Sequence, residues 1–150
     1  KADISGLFAL QFLVDRGTLD ASFNASVYTT FLVSIFRSLR FGIHEAHGRG
    51  VAIQLNYFLD NGGVRVSPDG TFSVDPARIR RNVVDLTHDI MTLQAEGGYA
   101  KAAMLIERLG YIRPEVQVVL DRLRGIPVDI QPRFVTAAAL LAEAESSPMS

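Results

Sequence analysis

The sequence predicts a mainly α protein, a helical bundle with one small β-hairpin. Three observations carry that prediction. Apolar residues recur at helical spacing over most of the 150 residues, proline-early and glycine-late punctuation separates the segments, and one short alternating pair brackets a Pro-Asp-Gly turn. With 48% hydrophobic and 21% charged residues, the chain fits a single helical domain with enough apolar surface to bury a core.

The first helix is read from Ile4, Leu7, Phe8, Leu10, Gln11, Leu13 and Val14, and Asp15-Arg16-Gly17 ends it with a glycine just past the last turn. No capping Ser, Thr, Asp or Asn precedes it, and no initiator Met is present. The chain is therefore expected to begin inside a helix of something longer. A second helix runs from Asn24 or Ala25 to about Phe41 through Val27, Phe31, Leu32, Ile35, Phe36 and Leu39, with an apolar face wide enough for a buried position. Gly42 interrupts the pattern. Helix is expected on both sides of His44-Glu45-Ala46-His47-Gly48-Arg49-Gly50, with a kink or break near the glycines, and Asn61-Gly62-Gly63 stops it.

Val64 to Val66 and Thr71 to Val74 flank Ser67-Pro68-Asp69-Gly70, where Pro presets one turn angle and Gly accepts positive φ. This hairpin is expected to be a surface flap, since one hairpin cannot make a sheet domain. Asp75-Pro76 supplies an N-cap and a first-turn proline for a helix through Ile79, Val83, Leu86, Ile90 and Leu93, closed by Gly97-Gly98. Tyr99 to Leu109 and Pro114 to Leu123 are two further helices, ended by Gly110 and Gly125. Ile126 to Pro132 reads as extended because its prolines exclude helix, Phe134 to Glu145 as a final helix, and Ser146 to Ser150 as a frayed tail.

Charge and composition exclude several function classes. Fifteen basic against 16 acidic residues give a net charge of -1, so no overall field draws the protein to nucleic acid or anionic lipid. Without cysteine there is no disulfide framework, thiolate zinc site or cysteine nucleophile, and any metal must be held by His and carboxylates. The longest apolar stretches are too short to span a bilayer as helices, and no signal-peptide form opens the chain. A soluble, cytoplasmic protein is expected, with neither nucleic acid nor membrane as partner. No phosphate-binding glycine loop or Ser/His/Asp order is present.

Two of the three histidines lie in His44-Glu45-Ala46-His47. On a helix this spacing would put both rings on roughly one face, but it is one residue short of the zinc motif His-Glu-x-x-His and lacks a third ligand. For His44 the better reading is a surface or core-edge ring. His47 keeps two readings, satisfied surface residue or functional group, because Gly48 and Gly50 clear side chains where a ligand could approach. Arg37, Arg40 and Arg49 lie nearby with few acids; a solvated basic face outweighs an anion pocket. Asp3 on its own is a first-turn residue complementing the helix dipole.

Beyond these readings, several segments match a known family in order. They are Lys1-Ala2-Asp3-Ile4-Ser5-Gly6-Leu7, Glu45-Ala46-His47-Gly48-Arg49-Gly50-Val51-Ala52-Ile53-Gln54, the hairpin, and Pro127-Val128-Asp129-Ile130-Gln131-Pro132. Over nearly its whole length the chain resembles the C-terminal part of the catalytic region of dipeptidyl peptidase III-like zinc peptidases, and most closely their shorter bacterial branch. In that family a His-Glu-rich helix supplies two zinc-binding histidines and a general-base glutamate, and Glu-Glu-x-Lys/Arg-Ala-Asp/Glu supplies the third ligand. This chain starts at the Lys of the second motif, so the resemblance implies zinc in the intact protein and no metal ligand here.

The same resemblance gives residues their roles. Asp3 corresponds to an acid that orients a zinc-bound histidine, and His47 to a histidine donating a hydrogen bond to the oxyanion formed during amide hydrolysis. Arg49 is the candidate for substrate contact. The implied function is a zinc-dependent peptidase or hydrolase acting on a peptide-like substrate, with the remainder of the parent polypeptide as obligatory partner and this piece inactive alone. Ile126-Pro127 departs from the basic residues of larger relatives, so the resemblance does not extend to carboxylate recognition by that element. A helical protein-interaction module without catalysis is the alternative.

Overall fold

A computed structural model describes residues 1–128 and 134–146. Among the described residues there are seven helices, α1 (Ala2–Asp15), α2 (Phe23–Leu39), α3 (Ala46–Asp60), α4 (Pro76–Ala95), α5 (Tyr99–Leu109), α6 (Pro114–Arg122) and α7 (Val135–Ser146), and one antiparallel hairpin, β1 (Val64–Val66) with β2 (Phe72–Val74). The mainly α class with one hairpin is the fold observed. The extended reading of 126–132 falls largely on residues 129–133, and most of the frayed-tail reading on 147–150; both lie outside the described residues.

α1 turns Ile4, Leu7 and Gln11 inward at i, i+3 and i+7 spacing and packs on α4 and α2. Its end is a Schellman turn: Gly17, at φ 69°, donates to the Val14 carbonyl, and Thr18 donates to the Leu13 carbonyl. Inside, the Tyr28 hydroxyl donates to Gln11 Oε1 at 2.7 Å, so α1 and α2 share a satisfied buried polar pair. Arg80 of α4 pairs with Asp15 at the far end of α1.

α3 is the axis of the bundle. A nearly unbroken buried run, Val51 to Asn56 and then Phe58, is enclosed by α2, α4, α5 and β1. Asn56 is one of two polar members of that run, with Gln54, and its Nδ2 donates to the carbonyls of Leu109 (2.8 Å) and Tyr111 (2.9 Å), satisfying orphan acceptors at the end of α5. One apolar cluster joins Ile4, Ile35, Leu55, Phe58, Ile79 and Leu86 from four helices.

One local reading changes, and two others hold. The hairpin is not a flap: Val64 is fully buried in the core, and the Phe72 ring meets Phe36 of α2 edge-on at 4.9 Å between centroids. The apolar side of a two-stranded ribbon needs cover, and α2 and α3 provide it. The segment between α2 and α3 is a true break, with residues 40–45 outside any helix. Asp75 does cap α4 as read, accepting from the Arg78 amide at 3.0 Å.

Candidate functional site

The break before α3 decides where the histidines go. Glu45 is the N-cap residue in extended conformation and α3 begins at Ala46, so His47 lies in the first helical turn and His44 is off the helix altogether. The two rings therefore do not form a same-face pair. His44 instead lines a cleft of about 350 Å³ with Glu45, Arg49, Ile53 and Ile106.

His47 faces the opposite way, toward α1 and α2. Its Nδ1 stands 3.8 Å from Asp3 Oδ2, and its Nε2 stands 3.4 Å from Ser38 Oγ. Three helices each contribute one group: the first turn of α1, the last turn of α2 and the first turn of α3. Both contacts are longer than tight hydrogen bonds, as polar sites often are before a ligand is engaged. The ring is 65% exposed and the Asp3 side chain 39%, so the pair is open to solvent. Beside it, a groove of about 450 Å³ runs between α1 and α2, lined by Asp3, Gly6, Leu10, Phe23, Thr30 and Ser34.

Gly48 sets the position of His47. A Cβ there would sit 1.8 Å from the Gly42 carbonyl oxygen, so the start of α3 can lie against the preceding loop only because position 48 has no side chain. The space that Gly48 clears is taken by the chain's own backbone. At Gly50 a Cβ would meet nothing within 4 Å.

Arg49 follows His47 by two residues, which separates their side chains by about 200° around the helix. It packs toward α5, where Gly110 leaves room: a Cβ at Gly110 would be 3.0 Å from Arg49 Cγ. The structure therefore brings Asp3 and His47 together and places Arg49 in the cleft shared with His44. Arg40 is engaged elsewhere, donating to the carbonyls of Leu123 and Ile126 at the end of α6. The three arginines near the histidines do not converge on one anion pocket.

Ser38 is the site residue that sequence reasoning missed. A weak signal existed: Ser26, Thr30, Ser34 and Ser38 recur every four residues along a mostly apolar helix, marking one hydroxyl-bearing stripe.

Among the described residues, no three His, Cys, Asp or Glu side chains gather closely enough to hold a metal ion. Asp3 and His47 make two, which is short of the donor set zinc takes from protein. These residues do not fit a complete zinc site. Among the described residues, no helix is long and apolar enough to cross a membrane.

Comparison with known proteins bears on what such a site belongs to. No family model matches the chain. Among solved structures, it superposes on dipeptidyl-peptidase III from Corallococcus sp. strain EGB with a TM-score of 0.86 and 54% identity, covering 97% of this chain and 27% of that one. It superposes on DPP III from Caldithrix abyssi with a TM-score of 0.85 and 36% identity, covering 93% of this chain and again 27% of that one. Among curated proteins it is 43% identical over 143 residues to Nudix hydrolase 3 of Arabidopsis thaliana, covering 94% of this chain and 18% of that protein. The chain thus spans about a quarter of the length of the matched structures and less of the plant protein. Sequence identity and backbone superposition together identify it as dipeptidyl peptidase III-like.

Proposed function

We propose that this chain forms part of a zinc-dependent hydrolase, most simply a peptidase, in which His47 donates a hydrogen bond to the oxygen that gains negative charge when water attacks an amide carbonyl. The observation that carries the reading is the meeting of His47 with Asp3 across 44 residues of sequence, in a chain 54% identical to a dipeptidyl-peptidase III structure. Those are the two residues for which the family likeness implies roles at the reaction centre.

The chemistry of the residues supports it. A histidine on the first turn of a helix anchored by the core is held at its base, and a carboxylate beside Nδ1 favours the ring orientation that points Nε2 outward. A preorganised donor aimed at developing charge contributes several kcal/mol where water is excluded, and little where the ring is solvated. With His47 65% exposed, water exclusion has to come from a partner surface. In this reading the partner is the remainder of the polypeptide, which also carries the zinc ligands. α1 suits such cover, since Leu10 and Phe12 face outward on a helix whose other side is already buried. Arg49, in the cleft shared with His44, is the candidate for holding a charged group of a longer substrate.

The test is hydrolysis of an unblocked dipeptide arylamide by the full-length gene product, before and after treatment with a chelator and after zinc is restored. The reading expects release of the arylamine, loss of it on chelation and recovery with zinc. Full activity in the metal-stripped protein would sink it.

A further inference from the structure

We infer that Ser38 is a positioning residue for His47, holding the ring nitrogen that faces substrate. The inference rests on the functional reading above and adds to it a residue that the family likeness did not supply.

Ser38 behaves unlike its neighbour on the same stripe. A serine inside a helix commonly turns its hydroxyl back onto a carbonyl of the preceding turn. Ser34 does so, donating to the Phe31 carbonyl at 2.7 Å. One turn later, Ser38 Oγ instead faces His47 Nε2 at 3.4 Å. With Asp3 at the other nitrogen, the imidazole is bracketed at both ends by groups from two different helices.

The chemistry of a hydroxyl explains why that residue type suits the place. A carboxylate beside Nδ1 favours the tautomer with its proton there, and in the neutral ring Nε2 is then an acceptor, which the Ser38 hydroxyl fills as donor. When the ring is charged, Nε2–H is a donor and the same hydroxyl accepts by rotating its proton. Ser38 can thus hold the ring in one orientation through both states. A carbonyl oxygen alone or a backbone N–H alone could serve only one of them at that point. When a substrate oxygen meets the charged ring, it accepts from Nε2–H in place of the hydroxyl, without the ring having to turn. A ring already oriented loses no rotational freedom as charge develops, which is where a positioning group acts.

The experiment uses the full-length gene product and an unblocked dipeptide arylamide, comparing Ser38→Ala, Ser38→Thr, His47→Ala and the double variant Ser38→Ala/His47→Ala. The expected result is a kcat lowered roughly 10-fold by Ser38→Ala with KM within about twofold. Ser38→Thr, which keeps the hydroxyl, restores most of the rate. In the His47→Ala background, Ser38→Ala has no further effect, because the group it positions is gone. A Ser38→Ala enzyme with unchanged kcat, or one equally impaired with and without His47, overturns the inference while leaving the function standing. An unchanged kcat for His47→Ala overturns both.

Discussion

Substituting Gly48 and Gly50 one at a time should move stability in opposite directions, although the two glycines sit two residues apart on one helix. A Cβ at position 48 would be 1.8 Å from the Gly42 oxygen, 2.9 Å from its carbonyl carbon and 3.3 Å from Ile43 Cα. Carbon–oxygen contacts of this kind settle at about 3.3–3.6 Å, so the loop must retreat by roughly 1.5 Å. Overpacking of that order costs about 1–3 kcal/mol. Alanine returns about 1 kcal/mol of helix propensity, leaving Gly48→Ala destabilised by up to about 2 kcal/mol. At about 2–4 °C per kcal/mol for a chain of this size, the melting temperature falls by up to about 8 °C. Gly50→Ala meets open space and should gain about 0.5–1 kcal/mol, raising the melting temperature by about 1–4 °C. Thermal unfolding followed by circular dichroism at the helix band reads both. Melting temperatures that shift in the same direction would refute the claim that Gly48 is reserved for the approach of Gly42.

Two further predictions concern the frame around the site. Asn56→Ala removes the donor shared by the Leu109 and Tyr111 carbonyls and should cost about 2–3 kcal/mol; urea unfolding with an unchanged midpoint would contradict that. In the hairpin turn, the Ser67 hydroxyl, followed by the Thr71 amide and hydroxyl, holds the Asp69 carboxyl below the usual aspartate range. The unfolded group titrates at about 3.9, and the folded one lower. The carboxylate's contribution is therefore complete above the unfolded value and lost as pH falls through the folded one. An NMR titration of the Thr71 amide should show a midpoint below that of free aspartate. A midpoint at or above it would remove the turn's carboxylate from the account.

How much of this was legible in the sequence depended on the range of the interaction involved. Local chemistry was readable: Asp75-Pro76 opens α4, Gly17 ends α1, and Pro68-Asp69-Gly70 turns the hairpin, each because the residue type matches a backbone need within a few positions. Tertiary contacts were not. Nothing local to Phe72 reveals Phe36, 36 residues earlier, as the cover that turns an expected flap into core. The break at residues 40–45 follows from Gly42 in positive φ and from Gly48 leaving room for its carbonyl, and the glycines announced a break without fixing its extent. That extent is what took His44 off the helix and ended the two-histidine reading. Asp3 and His47 were linked only through family likeness, since no spacing rule reaches across 44 residues. Ser38 carried only the four-residue hydroxyl period, a pattern that equally marks helix packing.

The central claim is that His47 acts on the developing negative charge and is not itself a metal ligand. It is tested most directly by His47→Ala in the full-length gene product, measuring kcat, KM and bound zinc on one preparation. Loss of a preorganised oxyanion donor predicts a kcat lower by about 10²–10³-fold. KM and zinc content should stay at the parent's values. Zinc lost together with activity, or a kcat equal to the parent's, would contradict the account.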